Sequence, residues 1–247
     1  MPNDYFRFQQ FRIDQSQCAM KVSTDACLLG AAVDLTGATR LLDIGTGTGL
    51  LALMAAQRHP TVVIEAIEID EAAAAQAAAN VAGSPWAGRI RVRGLGLAQY
   101  AATQPAPLAG TDLGFSHIVC NPPFFRHSLR APDAARATAR HEGSGALTFG
   151  ELAAFAADFL APNGSLTVLL PPPEMQQFVA GAGARGLALH TQLVVRHRPG
   201  GRVTRHIARF GRGAAAVSET ELVIQDGPGP AYSAAFRALL AGFYLAL

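Results

Sequence analysis

The stretch Leu41-Leu42-Asp43-Ile44-Gly45-Thr46-Gly47-Thr48-Gly49-Leu50-Leu51 constrains this chain more than any other. A short apolar run ends in an acid. Three glycines alternate with two threonines, and an apolar, alanine-rich segment follows. The pattern reads as strand, tight turn, helix. Glycine lets backbone approach a ligand closely, and a helix start offers N–H groups without intrahelical partners. Turns of this kind serve many nucleotide-like ligands, so the surrounding chain has to decide which.

Apolar runs at 40–43, 61–69, 89–93 and 116–120 read as strands. Helical patterns lie between them, from the glycines to Gln57, at 71–81 (almost all alanine) and at 98–104. Strands alternating with helices predict an α/β fold, a parallel sheet covered by helices on both faces. The second strand runs out at Glu68, 23 residues after Gly45. In doubly wound folds an acid some 20 residues past the glycine turn accepts hydrogen bonds from ribose hydroxyls. A glycine turn and an acid in register are more specific than either alone.

The remaining elements follow from the same periodicities. Residues 5–13 alternate aromatic and polar side chains, as in a short strand or hairpin. Ser23 or Thr24 can cap a helix over 26–33, with Asp25 in its positive first turn. Lys21 and Asp25 fit a surface pair beside a cap, or part of a lid over the ligand at the glycine turn. Later come an amphipathic helix at 148–160, a strand at 165–170, a helix at 174–184 and a strand at 187–195. Two late strands at 205–210 and 219–224 precede a closing helix at 232–245. With 247 residues, half of them hydrophobic, and no repeat or linker, we expect a single domain over 1–247.

The fourth strand ends at Asn121-Pro122-Pro123-Phe124. Two prolines remove two backbone donors and stiffen the turn. The carbonyls of Asn121 and Pro122, with the Asn121 side-chain oxygen, then form rigid acceptors at a strand's carboxyl end. Such acceptors suit a planar amino group, and Phe124 can stack on the ring that carries it. Ligands of open α/β sheets sit at this edge.

Composition excludes several other classes. The formal net charge is +2, and Lys21 is the only lysine, so arginine abundance is a bias and only clustering counts. Arginines cluster at 126–130 and 136–141, beside the Asn-Pro-Pro-Phe turn, and at 196–206. Arginines beside a base pocket would grip RNA phosphates. Cys18, Cys27 and Cys120 lack zinc spacing and read as reduced thiols of a cytoplasmic protein. Seven scattered histidines predict no metal site. No uncharged apolar run of 18 residues predicts a membrane span, the N-terminus reads as no secretory signal, and no obligate protein partner is evident.

Together, Asp43 to Gly49 and Asn121 to Phe124 resemble the motifs of S-adenosylmethionine-dependent methyltransferases that modify an exocyclic or amide nitrogen. The stretch Cys18-Ala19-Met20-Lys21-Val22-Ser23-Thr24-Asp25, then Leu50-Leu51-Ala52-Leu53-Met54, Ser84-Pro85-Trp86-Ala87 and the tail from Tyr232 to Leu245 are similar to one family. That family is the bacterial tRNA1(Val) adenine N6-methyltransferases, which modify the adenine next to the anticodon. The resemblance implies a Rossmann-like, seven-stranded, mostly parallel sheet with its last strand antiparallel. It implies a cofactor site at Asp43, Gly45, Thr46, Gly47, Gly49 and Glu68, with Lys21 and Thr24 in a covering segment over 1–35. It implies a target-amine site at Asn121, Pro122, Pro123 and Phe124, with tRNA as partner and S-adenosylhomocysteine as product. Phe124 stands where the family usually has tyrosine and keeps the stacking face. Near Gly96 the family commonly has an acid, and its absence predicts weaker cofactor affinity. A glutamine N5-methyltransferase acting on protein, and a cofactor- or RNA-binding protein with impaired catalysis, fit the same motifs.

Overall fold

The computed structural model describes residues 4–105, 113–122, 147–227 and 229–246. Strand β1 (Tyr5–Arg7) pairs antiparallel with β2 (Arg12–Asp14), the hairpin expected at 5–13. Helix α1 (Thr24–Ala32) follows. Its cap is Ser23, whose hydroxyl accepts from the Ala26 N–H at 3.3 Å.

The main sheet holds β3 (Arg40–Ile44), β4 (Val63–Glu68), β5 (Ile90–Gly94), β6 (Phe115–Cys120), β7 (Leu160–Leu170), β8 (Leu187–Arg196), β9 (Val203–Arg212) and β10 (Ser218–Val223). Their order is β10-β8-β9-β7-β6-β3-β4-β5. The fold is the Rossmann-like one expected, with two differences in detail. The sheet has eight strands, not seven. The antiparallel strand is β9, the seventh in chain order, while the last strand, β10, runs parallel to β8. The short turn through Pro199 and Gly200 (φ +65°) sends β9 straight back along β8, so an antiparallel pair is the only outcome there. β9 lies between β7 and β8, and the chain then adds β10 outside β8.

Helices cover both faces. Leu41 and Leu42, adjacent on β3 and fully buried, point into separate cores, as the two-residue strand period requires. The Leu41 core takes in α1, α2 (Leu50–Arg58) and α7 (Ala234–Leu240). The Leu42 core takes in α4 (Leu97–Thr103), α5 (Phe149–Phe159) and α6 (Pro172–Gly183). Each fully buried leucine contributes about 1.5–3 kcal/mol by leaving water. Helix α2 is buried from Leu50 through Ala56, as an all-apolar helix must be. It approaches α1 so closely that a Cβ on Gly30 would lie 2.5 Å from the Met54 sulfur. Helix α7 stops well short of the 232–245 expected, because beyond Leu240 the chain turns and the Phe243 and Tyr244 N–H groups both bond the Leu240 carbonyl. Gln57 Nε2 holds the Gly242 carbonyl there at 2.6 Å.

Helix α3 (Glu71–Ala82) links β4 to β5, capped by Asp70, which accepts from the Ala73 N–H at 2.8 Å. Near its far end Asn80, only 4% exposed, ties three chain segments together. Its amide donates to the Asp14 carbonyl at 2.8 Å and the Thr48 carbonyl at 2.9 Å, and its oxygen accepts from the Asp14 N–H at 2.9 Å. The N-terminal hairpin is thereby bolted to the glycine turn. Asn80→Ala leaves these buried groups unpartnered and should cost about 2–3 kcal/mol in urea unfolding. A loss below about 0.5 kcal/mol, the range of ordinary surface substitutions, would show that the clamp is not needed.

Candidate active site

The glycine turn joins β3 to α2. Gly45, Gly47 and Gly49 have φ of +69°, +55° and +83°, values that side chains rarely adopt. A Cβ on Gly45 or Gly47 would meet nothing within 4 Å, so the turn borders open space. The Gly45 and Thr46 N–H groups donate to the Ile67 carbonyl at 2.9 and 3.0 Å, which seats the turn against the end of β4.

Glu68 ends β4 and reaches back to the turn. One carboxylate oxygen accepts from the Gly47 N–H at 2.9 Å and the other from the Asp70 N–H at 3.1 Å. A carboxylate has about four lone-pair sites. Two are therefore engaged in aiming Glu68, and two remain for hydroxyl donors. Beside it opens a cleft of about 500 Å³, bordered by Gly45, Glu68, Gly96, Leu97, Leu147 and Glu151. That size is ordinary for a small-molecule site.

Asp43 and Thr46 face inward. Asp43 is 0% exposed and Thr46 is 6% exposed. The Thr46 hydroxyl donates to Asp43 Oδ2 at 2.6 Å, and the Ala52 N–H donates to the same oxygen at 3.2 Å. These side chains brace the turn and the first turn of α2; what they offer the cleft is the turn's backbone. Asp43 Oδ1 is buried without a hydrogen-bond partner among the described residues. Burial, with Glu68 nearby, pushes the Asp43 carboxyl up to about 7, against the pull of its two hydrogen bonds.

The second half of the site lies one strand away. β6 pairs parallel with β3, with Ile44 opposite Cys120. Gly45 and Asn121 therefore leave the sheet side by side, about 5 Å apart in strand spacing. Pro122 is buried. Asn121 is half-buried, and its Oδ1 is a buried acceptor without a partner among the described residues. Pro123, Phe124 and the arginines at 126–130 and 136–141 lie outside the described residues.

A family model for the methyltransferase small domain matches residues 18–173. A tRNA1(Val) (adenine(37)-N6)-methyltransferase of Pseudoalteromonas translucida is 39% identical over 240 residues, covering 97% of this chain and 98% of the relative. This chain belongs to that methyltransferase family. A protein of the same description from Bacteroides thetaiotaomicron is 40% identical over 248 residues, with 100% of each chain covered. Among solved structures, a predicted O-methyltransferase of Agrobacterium tumefaciens superposes with a TM-score of 0.67 at 20% identity, covering 89% of this chain and 96% of that one. That likeness concerns the fold.

Other features of this methyltransferase were not singled out in the sequence. Asn80 is a lone amide near the end of an alanine helix, a signal that could have been followed. Leu147 and Glu151 border the cleft from the start of α5, and the Thr148-x-x-Glu151 spacing of a capping box was legible there. Of the two expected covering residues, Thr24 is exposed at the start of α1 and Lys21 lies 3.8 Å from Asp4. Asp25 pairs with Arg205 at 2.7 Å. Cys18 is buried within electrostatic reach of Glu68 and Asp70, which brings the 1–35 segment to the Glu68 side of the cleft. At Gly96 a Cβ would lie 3.1 Å from Cδ1 of the exposed Ile69. Among the described residues no group of three or more His, Cys, Asp or Glu could hold a metal ion, and no helix is long and apolar enough to cross a membrane.

The buried Asp43 gives stability a defined pH dependence. The folded state keeps this proton up to about pH 7; the unfolded chain releases it near pH 4. The folded state thus binds the extra proton between these values, and stability falls as pH rises from about 4 to 7. Asp43→Asn removes that titration while preserving an acceptor oxygen. Urea unfolding at pH 5 and pH 8 should show a smaller drop for the variant, by on the order of a few kcal/mol. Equal drops in both proteins would contradict a buried, proton-holding Asp43.

Proposed function

We propose that this protein transfers a methyl group from S-adenosylmethionine to the exocyclic N6 of an adenine in tRNA, the base next to the anticodon of tRNA1(Val). The observation that carries the proposal is the buried Asn121 oxygen beside the glycine turn, which has no partner among the described residues. A buried acceptor without a donor is costly, and a bound amine would satisfy it. The names of the full-length relatives supply the substrate: a tRNA adenine N6.

When bound, S-adenosylmethionine supplies a methyl on a sulfonium, already a strong electrophile. The protein's task is then placement. The open backbone of Gly45 and Gly47 admits the ligand, while Asp43, Thr46 and Gly49 keep the turn in shape. The two remaining lone-pair sites of Glu68 accept from ribose hydroxyls. Lys21 and Thr24, within residues 1–35, cover this half. On the other half Asn121 Oδ1 and the Pro122 carbonyl accept the two N–H bonds of a flipped adenine, which directs its nitrogen lone pair away from them. Pro123 stiffens these acceptors and Phe124 stacks on the base. Transfer would leave S-adenosylhomocysteine and a protonated methylamine, which would then lose its proton to Asn121, Pro122 or water, so no histidine general base is required. We place this chemistry in the cytoplasm, on the whole of chain 1–247 as one domain, without a metal. No acid stands at Gly96, where apolar Ile69 and Leu97 border the cleft, so recognition of the cofactor's adenine is expected to be weak.

Labelled S-adenosylmethionine offered with unmodified tRNA, and separately with release factor, tests this reading. Label should enter tRNA as N6-methyladenosine. Asn121→Ala should slow transfer on the order of 100-fold, with cofactor binding held within a few-fold. Label in release factor, or a transfer rate indifferent to Asn121→Ala, would overturn it.

A further inference from the structure

We propose that the turn between β8 and β9 is a rigid basic prong that binds the phosphates flanking the target adenine, and that Arg198 and Arg202 are its contacts. This rests on the tRNA reading above and adds to it which part of the surface takes the RNA backbone. Residues 196–212 carry six arginines, two histidines and no acid. The fold sorts these charges. Arg196 pairs with Glu221 at 2.8 Å, Arg205 with Asp25 at 2.7 Å, and Arg212 donates to the carbonyls of Ala157 and Leu160. Arg209 lies within electrostatic reach of Asp34 and His117, toward the sheet's other edge. His197, Arg198 and Arg202 are exposed at the tip.

Topology decides where that tip points. Because β9 is antiparallel, its first residues lie at the carboxyl edge of the parallel strands: His206 pairs with Leu170, the last residue of β7. Residues 197–202 therefore project from the same edge that carries Gly45, Glu68 and Asn121. β9 is two strands from β6, roughly 10 Å away across the sheet. A base held at Asn121 would bring its neighbouring phosphates to this distance.

The prong is preorganised. The Arg196 guanidinium donates to the Gly201 carbonyl, the Gly201 N–H donates to the Arg198 carbonyl at 3.0 Å, and the Thr204 hydroxyl donates to the Val195 carbonyl at 3.0 Å. Gly200 takes the positive φ that closes the turn. The Arg205–Asp25 pair fastens the base of the prong to α1, within the 1–35 segment. A basic loop already held in shape loses little entropy when it grips an anion. Acids mark the limit of the surface. Glu219 and Glu221 are exposed along β10, and Asp226 follows that strand, so phosphates are repelled from the outer edge and confined to the side facing Asn121.

The test is methyl transfer to unmodified tRNA across a salt series, with Arg198→Glu combined with Arg202→Glu in the full chain. The KM for tRNA should rise roughly 10-fold or more, with kcat and equilibrium S-adenosylmethionine binding little changed. Two lost phosphate contacts should flatten the slope of log KM against log salt by about 1.4. The neutral pair Arg198→Gln with Arg202→Gln carries the same test should charge reversal impair folding. Arg91→Glu, an exposed site on β5 at the opposite side of the sheet, should leave the KM for tRNA unchanged. Wild type active on tRNA with an unaltered KM in the prong variants would overturn the prong alone. So would an equal rise from Arg91→Glu, which would mean bulk charge. Wild type that leaves tRNA unmethylated would overturn the substrate reading itself.

Discussion

The carboxylate of Glu68 meets the Gly47 N–H at 2.9 Å because β3 and β4 pair with Ile44 opposite Ile67. The register of β3 governs everything at this edge. On one side it sets Glu68 against the glycine turn. On the other, with Ile44 opposite Cys120, it sets Asn121 beside Gly45. A slip of one residue in either pairing would turn every side chain of a strand to the other face. Leu41 and Leu42, fully buried in separate cores, make such a slip prohibitively costly. The hydrophobic packing of β3 is thus what aligns the two halves of the site.

Polar bonds then fix what packing aligns. Asp43 and Thr46 brace the turn from beneath, Glu68 holds it from the side, and Asn80 links it to the N-terminal hairpin. The result is a backbone poised against open space, with its side chains turned to maintenance. The acceptor half is built differently. There the Asn121 oxygen is left buried without a partner among the described residues. The turn half is held in place by its own hydrogen bonds, although Asp43 Oδ1 also lacks a partner among the described residues.

Much of this was legible in the sequence because it is local. The G-T-G-T-G turn between an apolar run and an alanine-rich run allows few conformations. Glu68 stands at a fixed chain distance from Gly45, and helix starts announce themselves through Ser23, Asp70 and Thr148. What escaped depends on contacts between distant segments. The strand expected at 219–224 is β10, but that it joins the sheet as an eighth strand beside β8 is not specified by its own alternation. The closing helix ends at Leu240, and the turn beyond it is held by Gln57, far away in the chain. The inward turn of Asp43 and Thr46 is set by the start of α2. The role of Asn80 is visible only once Asp14 and Thr48 converge on it. The arginines of 196–212 show the same division: their clustering is sequence, but which of them stand exposed at the tip is fold.

The central claim is geometric: one edge of one sheet holds a cofactor beside Glu68 and an adenine beside Asn121. A crystal structure with S-adenosylhomocysteine and an anticodon stem-loop RNA measures it directly. The expected map places the ribose hydroxyls within hydrogen-bond distance of Glu68, and the target adenine's amino group on Asn121 Oδ1 and the Pro122 carbonyl. An adenine bound elsewhere, or a ribose that leaves Glu68 without contact, would contradict it.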